Sequence, residues 1–70
     1  MNVAEKLASE ISRVTTLRCV YVALRGTPQV NVEPAIALMS LALIRAIKAA
    51  GVNDAFTQME AVEELEGFTE

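Results

Sequence analysis

The chain has 70 residues, of which 53% are hydrophobic and only 4% aromatic, and it carries a formal net charge of −3. That length allows a single helical domain over residues 1–70, near the lower limit for independent folding, where only about 60% of the unfolded surface is removed from water. Domains this small lean on a disulfide, a metal or a second subunit. One cysteine, Cys19, excludes an internal disulfide, and the absence of histidine removes the commonest metal ligand, so oligomerisation is the expected source of extra stability.

The first helix is predicted from Asn2 to Arg25. Asn2 is the candidate N-cap and Glu5, three residues on, its capping-box partner. Val3, Leu7, Ile11 and Val14 make one helical stripe, and Lys6 and Glu10 stand one turn apart, spaced to pair on the solvent side. Continued at 100° per residue, the stripe runs into Arg18 and Arg25. A backward phase shift near Thr15 and Thr16 would resolve the conflict, with Leu17, Val20, Tyr21 and Leu24 as a second stripe. The segment TTLRCVYVAL has a β-like composition, yet it lacks strict alternation and a pairing partner. Helix is therefore expected, its continuity across the two threonines left open.

Gly26 and Pro28 end this helix, Gly26 as the left-handed C′ residue. Asn31 is the expected N-cap of a central helix, Val32 to Ala50, with Glu33 and Pro34 in its first turn and Gly51 after its end. No charged side chain occurs from Ala35 to Ile44. A helix apolar on all sides is buried in protein or in a membrane. The charge-free run stops at Arg45, well short of the roughly 20 residues a span requires, and so cover by a second copy is expected. Ile36, Met39, Leu43 and Ile47, with Ala42 and Ala46 as small residues permitting close approach, form the expected oligomer interface.

The third helix is predicted from Asp54 to Glu66, with Asn53 as N-cap and Phe56, Met59, Val62 and Leu65 as its apolar stripe. Gly67 should close it, Phe68 folding back onto Val62 in a Schellman contact. Glu63, Glu64 and Glu66 crowd the negative end of the helix dipole, so this end should fray unless cations hold it. Charge divides the same way: residues 1–50 hold six bases against three acids, and residues 51–70 hold six acids and no base. The acidic helix is expected beside basic side chains of the body.

Little here suggests an enzyme. A nucleophile such as Cys19 or a hydroxyl has no histidine to activate it; Cys19, between apolar neighbours, reads as a small core residue. Gly26 and Gly51 have helix-ending roles, which leaves no phosphate-cradling loop, and no metal or other cofactor is expected. Bases spread over two helices of an acidic, aromatic-poor chain argue against nucleic acid, and the central helix has only Arg45 and Lys48 for a membrane surface. Arg18 and Arg25, two turns apart, are the candidate anion-binding pair, with carboxylates of the third helix (Glu60, Glu63 or Glu64) as alternative partners. The opening MNVAEKLASE lacks the basic start and apolar core of an export signal, and a lone thiol fits a reducing compartment, so a cytoplasmic protein is expected.

The expectation is an all-α, three-helix protein, with a long N-terminal helix, an apolar central helix and a short acidic C-terminal one, assembled as a helical-bundle homodimer. Function would then lie in protein–protein binding by a non-enzymatic oligomeric or regulatory module. Two alternatives stand beside it: an anion- or metabolite-binding or catalytic protein with an Arg18/Arg25-lined intersubunit pocket, and a subunit of a larger complex in which a different protein covers residues 34–50.

Overall fold

A computed structural model describes residues 2–69. Three helices, α1 (Val3–Ala23), α2 (Glu33–Ala50) and α3 (Ala55–Glu66), pack against one another in a bundle with no strands among the described residues. The molecule is elongated, 43 × 19 × 16 Å with a radius of gyration of 13.0 Å, against about 11 Å for a compact domain of this length. A 21-residue α1 and a 12-residue α3 explain the shape, since at 1.5 Å per residue the third helix spans little more than half of the first.

α1 begins where its cap chemistry requires. Asn2 is extended, and its side-chain oxygen accepts the backbone N–H of Glu5 at 2.9 Å. The Glu5 carboxylate returns to the Asn2 side-chain amide at 3.4 Å rather than to the backbone N–H that a capping box would use. The helix is continuous through Thr15 and Thr16. Their hydroxyls donate to the carbonyls of Ile11 and Ser12, one turn back, which satisfies them without opening the ladder.

No phase shift occurs along α1. Its buried face is one row, Leu7, Glu10, Val14 and Leu17, with Tyr21 packed at its edge, the alternating three- and four-residue spacing of a helix–helix seam. Val20 and Leu24, expected inside, are exposed. Glu10 occupies a core-facing position and is only 8% exposed, so its partner is Arg13 at 2.7 Å and not the solvent-side Lys6.

Gly26 takes the left-handed conformation, φ +86°, two residues beyond the C-cap Leu24. Asn31 caps α2 from one residue earlier than expected: Val32 is the N-cap, buried and without a side-chain acceptor, while the Asn31 oxygen accepts the Glu33 N–H at 3.3 Å. For α3 the cap is Asp54 rather than Asn53, its carboxylate accepting the Phe56 N–H and the Thr57 hydroxyl. Gly67 is right-handed at φ −67°, so the Schellman geometry does not form; Phe68 still packs against the core and donates its N–H to Leu65.

The core lies where the three helices meet. Leu7, Val14 and Leu17 of α1, Met39, Leu43, Ala42, Ala46 and Ala49 of α2, and Val62 and Leu65 of α3 form one cluster. On α3 the buried face is Gln58, Val62 and Leu65; Phe56 is 71% exposed and Met59 is also outside, because a strict three-residue repeat drifts off a 100° helical face within two turns.

Candidate interaction surface

Two helix ends are closed by side chains from a neighbouring helix. Arg13 of α1 donates to the carbonyls of Leu65 at 2.9 Å and Phe68 at 2.7 Å while its Nε holds the Glu10 carboxylate. A cation thus meets the acidic, negative end of α3. Gln58 of α3 donates to Val52 and Ala49 carbonyls at the end of α2. Both residues are structural anchors that the sequence reading missed; Arg13 had the right signal, a lone base beside a buried acid position, once Glu10 is placed on the core face.

The paired arginines do not converge on one anion site. Arg25 lies beyond the end of α1 and holds Glu33 through two bonds, at 2.7 and 3.1 Å, clasping the α1–α2 loop. Arg18 donates from Nε to the Ser40 hydroxyl at 2.8 Å, and that hydroxyl donates on to the Ile36 carbonyl. Neither meets Glu60, Glu63 or Glu64; of these, Glu64 pairs with Arg45 at 3.3 Å. Basic side chains of the body therefore do sit beside the acidic helix, through Arg13 and Arg45. Glu70, counted with that acidic segment, lies outside the described residues.

The six residues expected to form the oligomer interface divide unequally. Ile36, Met39, Ala42, Leu43 and Ala46 are buried within the chain itself, and only Ile47 stands on the surface, 61% exposed. The correction has a simple cause. The small residues of α2 do permit close approach, but it is α1 and α3 of the same chain that approach. Cys19 is likewise exposed rather than in the core.

What α2 leaves outside is a second apolar face. Leu38 (59%), Leu41 (52%), Ile44 (52%) and Ile47 are each more than half exposed. At 100° per residue Leu41 and Ile44 fall roughly 140–160° from Met39 and Ala46 on the wheel, opposite the core, with Leu38 and Ile47 flanking on either side. No charged side chain interrupts this face between residues 34 and 44, and Arg45 and Lys48 follow at its C-terminal end. Apolar clusters of this kind, reaching a few hundred Å², mark contact surfaces more often than scattered single residues do.

Two clefts flank the bundle. One of about 390 Å³ between the end of α2 and α3 is walled by Arg45 and Lys48 on one side and Glu60 and Glu64 on the other, and the Arg45–Glu64 pair links its two walls. A second, of about 330 Å³, places Lys6 near Glu63 and Glu66 over Val3, Met59 and Val62. Among the described residues no group of three or more His, Cys, Asp or Glu side chains could hold a metal ion. No helix among the described residues is long and apolar enough to cross a membrane. Among the described residues the one shifted acid is Asp54, held below its ordinary value by the Thr57 hydroxyl and the Phe56 N–H, which favour the carboxylate. No known protein family, curated protein or solved structure matches the chain.

Proposed function

We propose that this protein is a non-enzymatic interaction module that works as a homo-oligomer, a dimer in its simplest form, with the outer face of α2 as its contact surface. The observation that carries this reading is the exposed set Leu38, Leu41, Ile44 and Ile47, which wraps about half of a helix whose other side already completes the chain's own core. Removing the exposed half of each of these side chains from water is worth about 1 kcal/mol, and a domain this small has few other ways to add stability. Binding, on this view, uses aliphatic side chains of a rigid helix rather than a reactive group. Light scattering after size exclusion tests it. Wild-type protein should elute above the 7.6 kDa of one chain, and Ile44→Glu, which places a charge in the contact without touching the core, should return it to a single chain of unchanged helicity. A wild-type protein that stays a compact single chain at high concentration would dismiss the proposal.

A further inference from the structure

We infer that α2 packs against α2 of a second copy in the antiparallel sense, about a two-fold axis that crosses the helix between Leu41 and Ile44. This rests on the self-association proposed above and adds the partner's direction and register.

Charge sets the direction. On α2 the acid, Glu33, stands at the N-terminal end, and both bases, Arg45 and Lys48, stand toward the C-terminal end. A parallel pair would lay Arg45 and Lys48 on their own images. An antiparallel pair instead brings the basic end of each helix toward the acidic start of the other and sets the two macrodipoles head to tail. Lys48 makes no ion pair among the described residues, and Glu33 of the second copy, whose carboxylate already holds Arg25, would take it as a second cation.

Side-chain size sets the register. Positions 34, 37, 41, 44 and 48 form the alternating three- and four-residue row along which helices pair. Reversal about the midpoint of Leu41 and Ile44 brings Leu41 level with Ile44, so the two large aliphatic side chains share the central layers. It also brings Ala37 level with Lys48, where a methyl group leaves room for the long lysine stem to lie along apolar surface with its charge in water. Leu38 and Ile47 of the two copies then stand level on opposite flanks of the seam, about 90° from its centre. Symmetric pairs of this kind are isologous, each copy offering the same patch.

The area sets the strength. A face 18 residues long spans about 27 Å by 10 Å, roughly a third of the about 800 Å² each partner gives to a standard interface. The dimer therefore dissociates on dilution.

Disulfide trapping distinguishes the arrangements. In a Cys19→Ser background, Ala37→Cys and Lys48→Cys are prepared singly and mixed, and the mass of each sample is followed by light scattering before oxidation. The antiparallel register places position 37 beside position 48 of the second copy, whereas each position lies about 16 Å along the axis from its own image, beyond the Cα separation of about 4.4–6.8 Å that a disulfide bridges. Oxidation should then link the mixture into a heterodimer and leave each variant alone unlinked. Rapid self-linking of either variant alone would mean a parallel pair and overturn the inference. A sample with dimer mass that links in none of the three would place the contact on another surface, which also overturns it but leaves self-association standing. Single-chain mass for the wild type at every concentration would remove both.

Discussion

The two faces of α2 hold the same class of residue and differ in what covers them. The inner face is built from Ala42, Ala46 and Ala49 with Ile36, Met39 and Leu43, while the outer face presents Leu38, Leu41, Ile44 and Ile47. In a three-helix bundle of this length the inner face must accept two neighbours at once, and alanine lets both come close. Four large aliphatic side chains are left on the outside. Apolarity alone thus does not locate the core of a small bundle, and neither does size, since Ala37 and Ala50 are exposed while Ile36, Met39 and Leu43 are buried; the large side chains left over mark the surface on which a partner can gain most.

The contrast can be broken first at its strongest point. Met39→Ala removes a fully buried side chain and should cost about 2–4 kcal/mol, the same at every protein concentration, measured by urea unfolding. Leu41→Ala should cost little in dilute solution and progressively more as concentration rises, because only the associated wild type uses that side chain. Equal, concentration-independent losses would erase the distinction between the faces. Arg13→Met comes next. It leaves Glu10 and two α3 carbonyls without their donor, and a loss of about 2 kcal/mol is expected, with faster hydrogen exchange at Gly67 and Phe68. The same change at Arg25, whose pair with Glu33 has both side chains at least half exposed, should cost well under 1 kcal/mol.

Much of the fold was legible because each helix announces its own ends. Asn2, the Gly26–Pro28 turn, Pro34 in the first turn of α2, and Gly51 and Gly67 as breaks place all three helices within two residues of where they lie. What was not legible turned on single polar residues in apolar positions. Following Val3, Leu7, Ile11 and Val14 carried the α1 stripe into Arg18 and Arg25 and suggested a phase shift, when the buried row runs through Glu10, whose carboxylate Arg13 makes tolerable. Gln58 was similarly invisible, since its burial makes sense only once the carbonyls at the end of α2 are known to point at it. Five of the six candidate interface residues lie inside the chain for a related reason: the choice between inner and outer face of an all-apolar helix depends on where two other helices dock, and the periodicity of α2 carries no record of that.

Smaller changes sharpen the picture at the helix ends. Gly26→Ala meets no steric contact, yet it must hold φ +86°, so a loss of about 1 kcal/mol is expected from backbone strain alone, seen as a lower denaturation midpoint. The smallest effect is at Asp54. Its folded carboxyl lies below the ordinary 3.8, first because of the Thr57 hydroxyl and then the Phe56 N–H, so its contribution is complete above that value and is lost as pH falls through the lower, folded value. Asp54→Ala should therefore lower the melting temperature slightly at neutral pH and converge on wild type in acid; an equal deficit at both would point to a role other than the charged cap.

Self-association through the outer face of α2 is most directly tested by solution mass across a dilution series. The expected result is twice the 7.6 kDa of one chain at high concentration, falling toward a single chain on dilution, with the transition abolished by Ile44→Glu. A monodisperse single chain throughout, or a dimer indifferent to Ile44→Glu, would contradict it.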